Sequence, residues 1–202
     1  MVEDLKFEID NIRFNKQNEF ALPNASRDRA AAHLLSLDYP TTREEAWKYT
    51  RLAKLKNITF ESKAIQLDAI EKFIIPNLTG SVLVFVNGFF QENASTLVAE
   101  SGVSIGTLKN ADAWTTEYVD TLLPLEGEFF HALNSYSCTD GVAIRIEKGI
   151  ACNQHIQILN ISTGEQTYAA TRNVIVCEDS ASAHISMSYF SENALQSFLN
   201  VA

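Results

Sequence analysis

Cysteine is scarce in this chain of 202 residues, which holds only Cys138, Cys152 and Cys177. The number is odd and no Cys-x-x-Cys pair occurs. Neither a disulfide framework nor a four-cysteine zinc site is therefore indicated, and reduced thiols are expected. Also missing is any run of about 18 apolar residues able to span a bilayer. The segment Met1 to Asp10 mixes charges with hydrophobic residues, unlike a secretory signal peptide, so a cytoplasmic protein is the expectation. Without a secretion signal, triplets such as Asn57-Ile58-Thr59 carry no meaning for glycosylation. Catalytic signatures are absent too: there is no Walker A loop, G-x-S-x-G elbow, H-E-x-x-H helix or dinucleotide fingerprint.

Basic residues are missing from one part of the chain. Residues 1–79 hold 12 basic and 12 acidic side chains, whereas residues 80–202 hold 4 basic and 13 acidic ones, so the whole formal charge of −9 lies in the second part. A surface so poor in Lys and Arg neutralises few phosphates, which argues against nucleic acid and anionic membranes as partners.

What is present is enough apolar material, 46% of residues, for a sizeable core. The periodicity divides the chain into an N-terminal helical region, residues 1–79, and a β-rich region, residues 80–202. In the first, Asn24 or Ser26 could cap a helix through Leu37 that buries Leu34 and Leu35. Tyr39-Pro40 ends it. Thr41 and Thr42, each three residues before Glu44 and Glu45, form overlapping capping boxes that predict a second helix from about Arg43 to Leu55. Its Arg43, Lys48, Arg51 and Lys54 make a positive stripe, read as a solvated face with a docking surface as the alternative. A third helix is expected after Ser62 and before Pro76, on the spacing of Ala64, Leu67, Ile70 and Ile74.

From Gly80 the pattern becomes strand-like. Residues 81–86 are a β-branched and aromatic run, and Asn87-Gly88 supplies what a type I′ hairpin turn requires. Asp140-Gly141 reads as a further turn, before a strand with Ile144 and Ile146 inward and Arg145 and Glu147 outward. Further strands are expected at His155–Ile161, Asn173–Cys177 and Ala183–Tyr189, spaced without crossover helices, as in a stacked-coil or sandwich architecture. Leu122 to Asn134 reads as a loop followed by one or two helical turns.

No catalytic, cofactor-binding or metal-ligating residue is assigned. Gly102-Val103-Ser104-Ile105-Gly106 suits a turn or close strand contact better than a phosphate, having neither the lysine nor the following helix of a P-loop. Cys152-Asn153-Gln154-His155 has a metal-binding spacing, yet residues three apart on an extended chain point to opposite faces, so a buried cysteine and a surface histidine are expected. His184 alternates onto a polar face, His33 reads as a half-buried packing residue, and His131 has no recognisable partner.

Several local patterns resemble the SufB/SufD family of iron-sulfur cluster assembly proteins. The most specific runs from Pro40 through Trp47-Lys48-Tyr49-Thr50 to Leu52. Phe85-Val86-Asn87-Gly88-Phe89-Phe90 follows, then Gly102-Val103-Ser104-Ile105 leading to Leu108. Ala132-Leu133-Asn134, Asp140 to Ile144, Lys148-Gly149, Arg172-Asn173 and Ala183-His184-Ile185 continue the series. The Trp47 segment and the Asn-Gly turn favour the SufD side over SufB. The resemblance implies a mainly β fold with N-terminal α-helices: a small helical region, then a right-handed parallel β-helix, truncated because the chain ends at Ala202. It also implies a non-catalytic scaffold subunit of the SufBCD complex, with SufB and SufC as partners. ATP hydrolysis belongs to SufC, and the iron-sulfur cluster belongs to the whole complex rather than to a cofactor site on these residues. A final coil with unpaired backbone predicts a homodimer or edge-paired assembly. Two rivals from other classes are a β-rich module for a small ligand and a carbohydrate-active β-helix protein, for which Arg145, Lys148 and Arg172 are the only basic candidates.

Overall fold

The strand-like segments from Gly80 onward become strands, most of which stack in parallel. The computed structural model describes residues 12–14, 19–119, 121–123 and 128–202. In chain order its elements are β1 (Ile12–Phe14), α1 (Asn24–Leu34), β2 (Phe60–Ser62), β3 (Gly80–Val86), β4 (Phe89–Phe90), β5 (Val103–Thr107), α2 (Trp114–Val119) and α3 (Phe129–Ser137). Then come β6 (Val142–Ile146), β7 (Ala151–Glu165), β8 (Tyr168–Thr171), β9 (Val174–Cys177), β10 (Ser182–Leu195) and β11 (Phe198–Val201). The protein is mainly β with few helices.

The last six strands form two successive layers of three. Strand β9 lies parallel on β6, β10 on β7 and β11 on β8. The corners repeat as well, since left-handed residues recur after roughly thirty positions: Gly149 with Ser180, Gly164 with Asn193, and Gln166 with Gln196. Beneath the first layer, β3 runs parallel to β7, β5 runs antiparallel to β6, and Glu61 of β2 bridges Thr167. Strands β6 and β7 therefore have neighbouring strands on both sides, while among the described residues β8 pairs with β11 and meets only isolated bridges opposite it.

Burial follows the pleat. Leu83, Phe85, Ile144, Ile146, Ile156 and Ile158 share one fully buried cluster inside the layers, with Arg145 half-exposed and Glu147 exposed, as the alternation predicts. Val84, Val86, Leu159 and Ile161 point to the opposite face of the β3–β7 sheet. Asn87 and Gly88 take φ of 51° and 81°, the two positive values a type I′ turn requires, and join β3 to β4 in antiparallel register. A third cluster joins both parts of the chain, bringing Leu34, Tyr39 and Phe60 against Phe129, Leu133 and Tyr168.

The expected helices of the first part need correction. Helix α1 ends at Leu34 instead of Leu37, has Pro23 before it, and no side chain caps it. Leu34 is buried against α3, while Leu35 is 57% exposed. In place of the second helix there is one 3-10 turn, Glu45–Trp47. The capping contact does form, because the Thr41 N–H donates to Glu44 Oε1 at 2.8 Å. A cap stabilises only a helix that propagates, and among the described residues Trp47 is the one side chain of residues 41–51 resting on the body before Leu52 and Leu55 reach the core, so packing does not supply the missing free energy over the first turns.

The third helix is also replaced, by an irregular strap with one 3-10 turn at Glu71–Phe73. Here the sheet competes for the backbone. Gln157 accepts the Ile75 N–H at 3.1 Å and donates to the Phe73 carbonyl at 3.3 Å. Meanwhile Ile65, Leu67, Ile70 and Ile74 cover the outer apolar face of β3 and β7. Helical spacing thus served an extended chain crossing a sheet. Of the stretch Leu122 to Asn134, residues 124–127 lie outside the described residues, as do Met1 to Asp10; α3 occupies its end.

Candidate functional site

Three motifs that are far apart in the sequence meet in one buried polar node. Arg172, 2% exposed, donates from Nε to Asn134 Oδ1 at 3.1 Å, from a terminal nitrogen to Ser135 Oγ at 2.7 Å, and from the other to the Val119 carbonyl at 3.1 Å. Asn134 donates in turn to the carbonyls of Thr171 and Asn200, at 2.9 and 3.0 Å. One guanidinium and one amide thereby tie α2, α3, β8 and β11 together. Buried groups of this kind are stable only when each finds a partner.

Asp140 and Gly141 sit on the other side of Arg172. They do not reverse the chain, as a turn would. Asp140 bridges Thr171 in parallel, and Gly141 passes so close to the next layer that an added Cβ would lie 1.7 Å from the Arg172 carbonyl oxygen. Glycine is needed here for close approach of two backbones. The Asp140 carboxylate accepts the N–H groups of Gly141 and Lys109 at 2.9 and 3.2 Å. Burial nevertheless pushes its pKa up to about 6, and burial pushes the neighbouring Cys138 thiol up to about 12.

The sign of the linkage for Asp140 follows from that shift. A carboxyl whose folded pKa lies above its unfolded value binds protons more tightly when folded, so stability falls as pH rises from about 4 to about 6. Asp140→Asn keeps an oxygen for both N–H donors and removes the buried charge. At pH 7 the variant should be more stable than the parent by ~2 kcal/mol, with the gap closing as the pH is lowered towards 4. Urea denaturation midpoints at several pH values measure this; a gap independent of pH would refute the assignment.

The other residues singled out from the sequence stay apart. Cys152 is buried and meets Glu100 at 3.6 Å, while His155, half-buried on the opposite face, contacts Ser186 at 2.8 Å. Glu100 also accepts the backbone and side-chain N–H groups of Asn153, and the backbone bond above all holds its carboxyl below the usual range. His184 is exposed on β10, paired in register with His155, and His33 is half-buried in α1. The 102–106 segment is a turn at Gly102 entering β5, which pairs with β6. Among the described residues, no three of His, Cys, Asp and Glu converge as ligands for a metal ion. Cys138, Cys152 and Cys177 lie in separate places, the first two buried and the third exposed, and do not fit the ligand set of an iron-sulfur cluster. Arg145 is engaged by Glu178 and Lys148 by Asp179 at 3.2 Å, while Arg172 is buried in the node, so the three basic candidates for sugar chemistry do not converge on one site.

The sequence reading missed the node. Its signal was the spacing of Asp140-Gly141 to Thr171-Arg172, which is one layer repeat. It becomes visible only once that repeat is recognised.

The last layer has a different character. Among the described residues, strands β9, β10 and β11 each form the edge of their sheet. Ile175, Tyr189, Phe190 and Leu195 are exposed along it, and Ile185 and Met187 are only half-buried. Such an edge is a template for further strands.

Comparison with known proteins agrees with the motif series. Residues 9–158 match the family model for the SufBD protein N-terminal region. An iron-sulfur cluster assembly SufBD family protein of Synechocystis sp. is 31% identical over 172 residues, an alignment covering 81% of this chain and 38% of the relative. The chain thus spans well under half the length of that relative. Among the described residues, no helix is long and apolar enough to cross a membrane. With motifs that converge on one node, and with a family model that accounts for most of its length, this chain belongs to the SufB/SufD family.

Proposed function

We propose that this chain acts in iron-sulfur cluster assembly as a non-catalytic, SufD-type scaffold subunit of a cytoplasmic SufBCD complex. The observation that carries the reading is the parallel stacking of β6–β8 under β9–β11, each strand of the last layer lying at the edge of its sheet among the described residues. Layers of this kind are the start of a parallel β-helix, and an open layer is where further coils or a partner's strands add. The described part of residues 1–79 packs on the side of the stack, and strands from β3 onward supply its layers. ATP hydrolysis is left to SufC, and the cluster is cargo of the complex, since the three cysteines do not form a ligand set.

The test uses cells deprived of their own SufD-type subunit. There the chain, continued by the C-terminal remainder of the Synechocystis relative, should restore the activity of an iron-sulfur enzyme such as aconitase. The tagged product should also co-purify SufB and SufC. A folded, expressed product that captures neither protein would refute the scaffold reading and leave a small-ligand binding module in its place.

A further inference from the structure

The segment after Pro40 stands out in charge and exposure. From Arg43 to Lys54 it carries four cations, Arg43, Lys48, Arg51 and Lys54, against Glu44 and Glu45, in a chain of formal charge −9. All four cations are exposed. Lys48 lies 3.9 Å from Glu45, and among the described residues Arg43, Arg51 and Lys54 form no ion pair. Tyr49 is 90% exposed, with the Lys48 ammonium 5.6 Å from its ring centre. Trp47 fastens the segment to the body through Phe130, with ring centres 5.2 Å apart. An aromatic ring in water, with Arg43 and Arg51 nearby in the chain, supplies residue types enriched at interface hot spots.

A groove of opposite character lies elsewhere on the same chain. Between the strap and the turn after β4 there is a largely polar cleft of about 560 Å³, where Leu67, Ile74 and Phe90 line the wall beside Gln91, Asn93 and the exposed carboxylates of Asp68, Glu71 and Glu92. A volume of that order accepts an aromatic side chain. The carboxylates around it face solvent where a neighbouring cation would sit.

We propose that the Arg43–Lys54 segment of one copy docks in this groove of a second copy, and reciprocally, giving a two-fold dimer. The Tyr49 ring packs on Leu67, Ile74 and Phe90 with its hydroxyl towards the amides of Gln91 and Asn93, and Arg43 and Arg51 meet the carboxylates of the cleft. Two identical contacts close the assembly, so it stops at two chains. This association goes beyond the scaffold reading and does not depend on it. It leaves the edges of β9, β10 and β11 free. Because its charges sit at the surface, salt screens it, whereas pairing of strand edges through backbone hydrogen bonds is far less salt-sensitive.

Sedimentation of the full chain at about 100 µM tests the proposal. A dimer is expected in about 50 mM salt and a monomer in about 0.5 M salt. Arg43→Glu with Arg51→Glu should weaken association by about tenfold or more, and Glu71→Lys with Glu92→Lys should do the same. All four side chains are exposed, so thermal midpoints should stay close to that of the parent. Mixing the two double variants should restore a dimer, because each reversed segment then faces a reversed groove and each native segment a native groove. A parent chain that is monomeric in low salt overturns the proposal. So does a dimer that survives both high salt and Arg43→Glu with Arg51→Glu, which would assign association to the strand edges. Failure of the mixture to recover also overturns it.

Discussion

Gly141→Ala should cost on the order of 4 kcal/mol or more, among the largest losses available from a single methyl group in this protein. The added Cβ would lie 1.7 Å from the Arg172 oxygen, 2.5 Å from its carbonyl carbon and 2.9 Å from its nitrogen. These are backbone atoms of the next layer, which cannot rotate aside as a flexible side chain would. The layers must separate where Asp140 bridges Thr171, and the Asp140 and Arg172 hydrogen bonds are pulled with them. Gly106→Ala is the matching control, since nothing lies within 4 Å of the Cβ position there; its change should stay within about 0.5 kcal/mol. Urea denaturation of both variants decides the point, and equal midpoints would show that the layers do not meet as described.

Arg172→Met should cost ~3–5 kcal/mol. Methionine fills much of the arginine volume, so the loss reports hydrogen bonding more than cavity formation. The Asn134 oxygen, the Ser135 hydroxyl and the Val119 carbonyl would each lose a charged donor inside the protein. Arg172→Lys keeps the charge but cannot present the planar fork that reaches three acceptors at once, so it should recover only part of the stability. Denaturation midpoints measure both, together with amide exchange at residues 171–173, which should accelerate. A methionine variant within about 1 kcal/mol of the parent would mean that the node contributes little net stability.

Such effects could not have been assigned from the chain alone, although part of the architecture was legible there. The run 81–86 followed by Asn87-Gly88 identified a strand and its turn because both signals are local: a β-branched and aromatic run, and two residues tolerant of positive φ. Strands at His155–Ile161, Asn173–Cys177 and Ala183–Tyr189 were legible for the same reason, though β7 and β10 run longer than their apolar cores. Strand β8 went unread, since Tyr168-Ala169-Ala170-Thr171 has no alternation; all four residues are buried between neighbouring elements.

The misread helices have a common cause. Thr41 and Glu44 carry a genuine start signal, and it is used, but among the described residues little beyond Trp47 packs over the next turns to stabilise them. Ala64, Leu67, Ile70 and Ile74 carry helical spacing, yet a sheet face with a hydrogen-bonding Gln157 offered an extended chain more. Propensity sets a small local preference, and tertiary partners outweigh it.

By itself, the sequence determined the acidic character of the β-rich part, the positions of most strands, the Asn87-Gly88 turn and the motif series that marks the family. Each depends on neighbours within a few residues or on composition. Only the tertiary structure decided that the strands stack in parallel, that Gly141 and Arg172 touch, that Cys138, Cys152 and Cys177 stay apart, and that the Arg43–Lys54 segment lies exposed instead of helical. Those outcomes turn on contacts between residues tens of positions apart, where burial and the pairing of buried polar groups outweigh local preference.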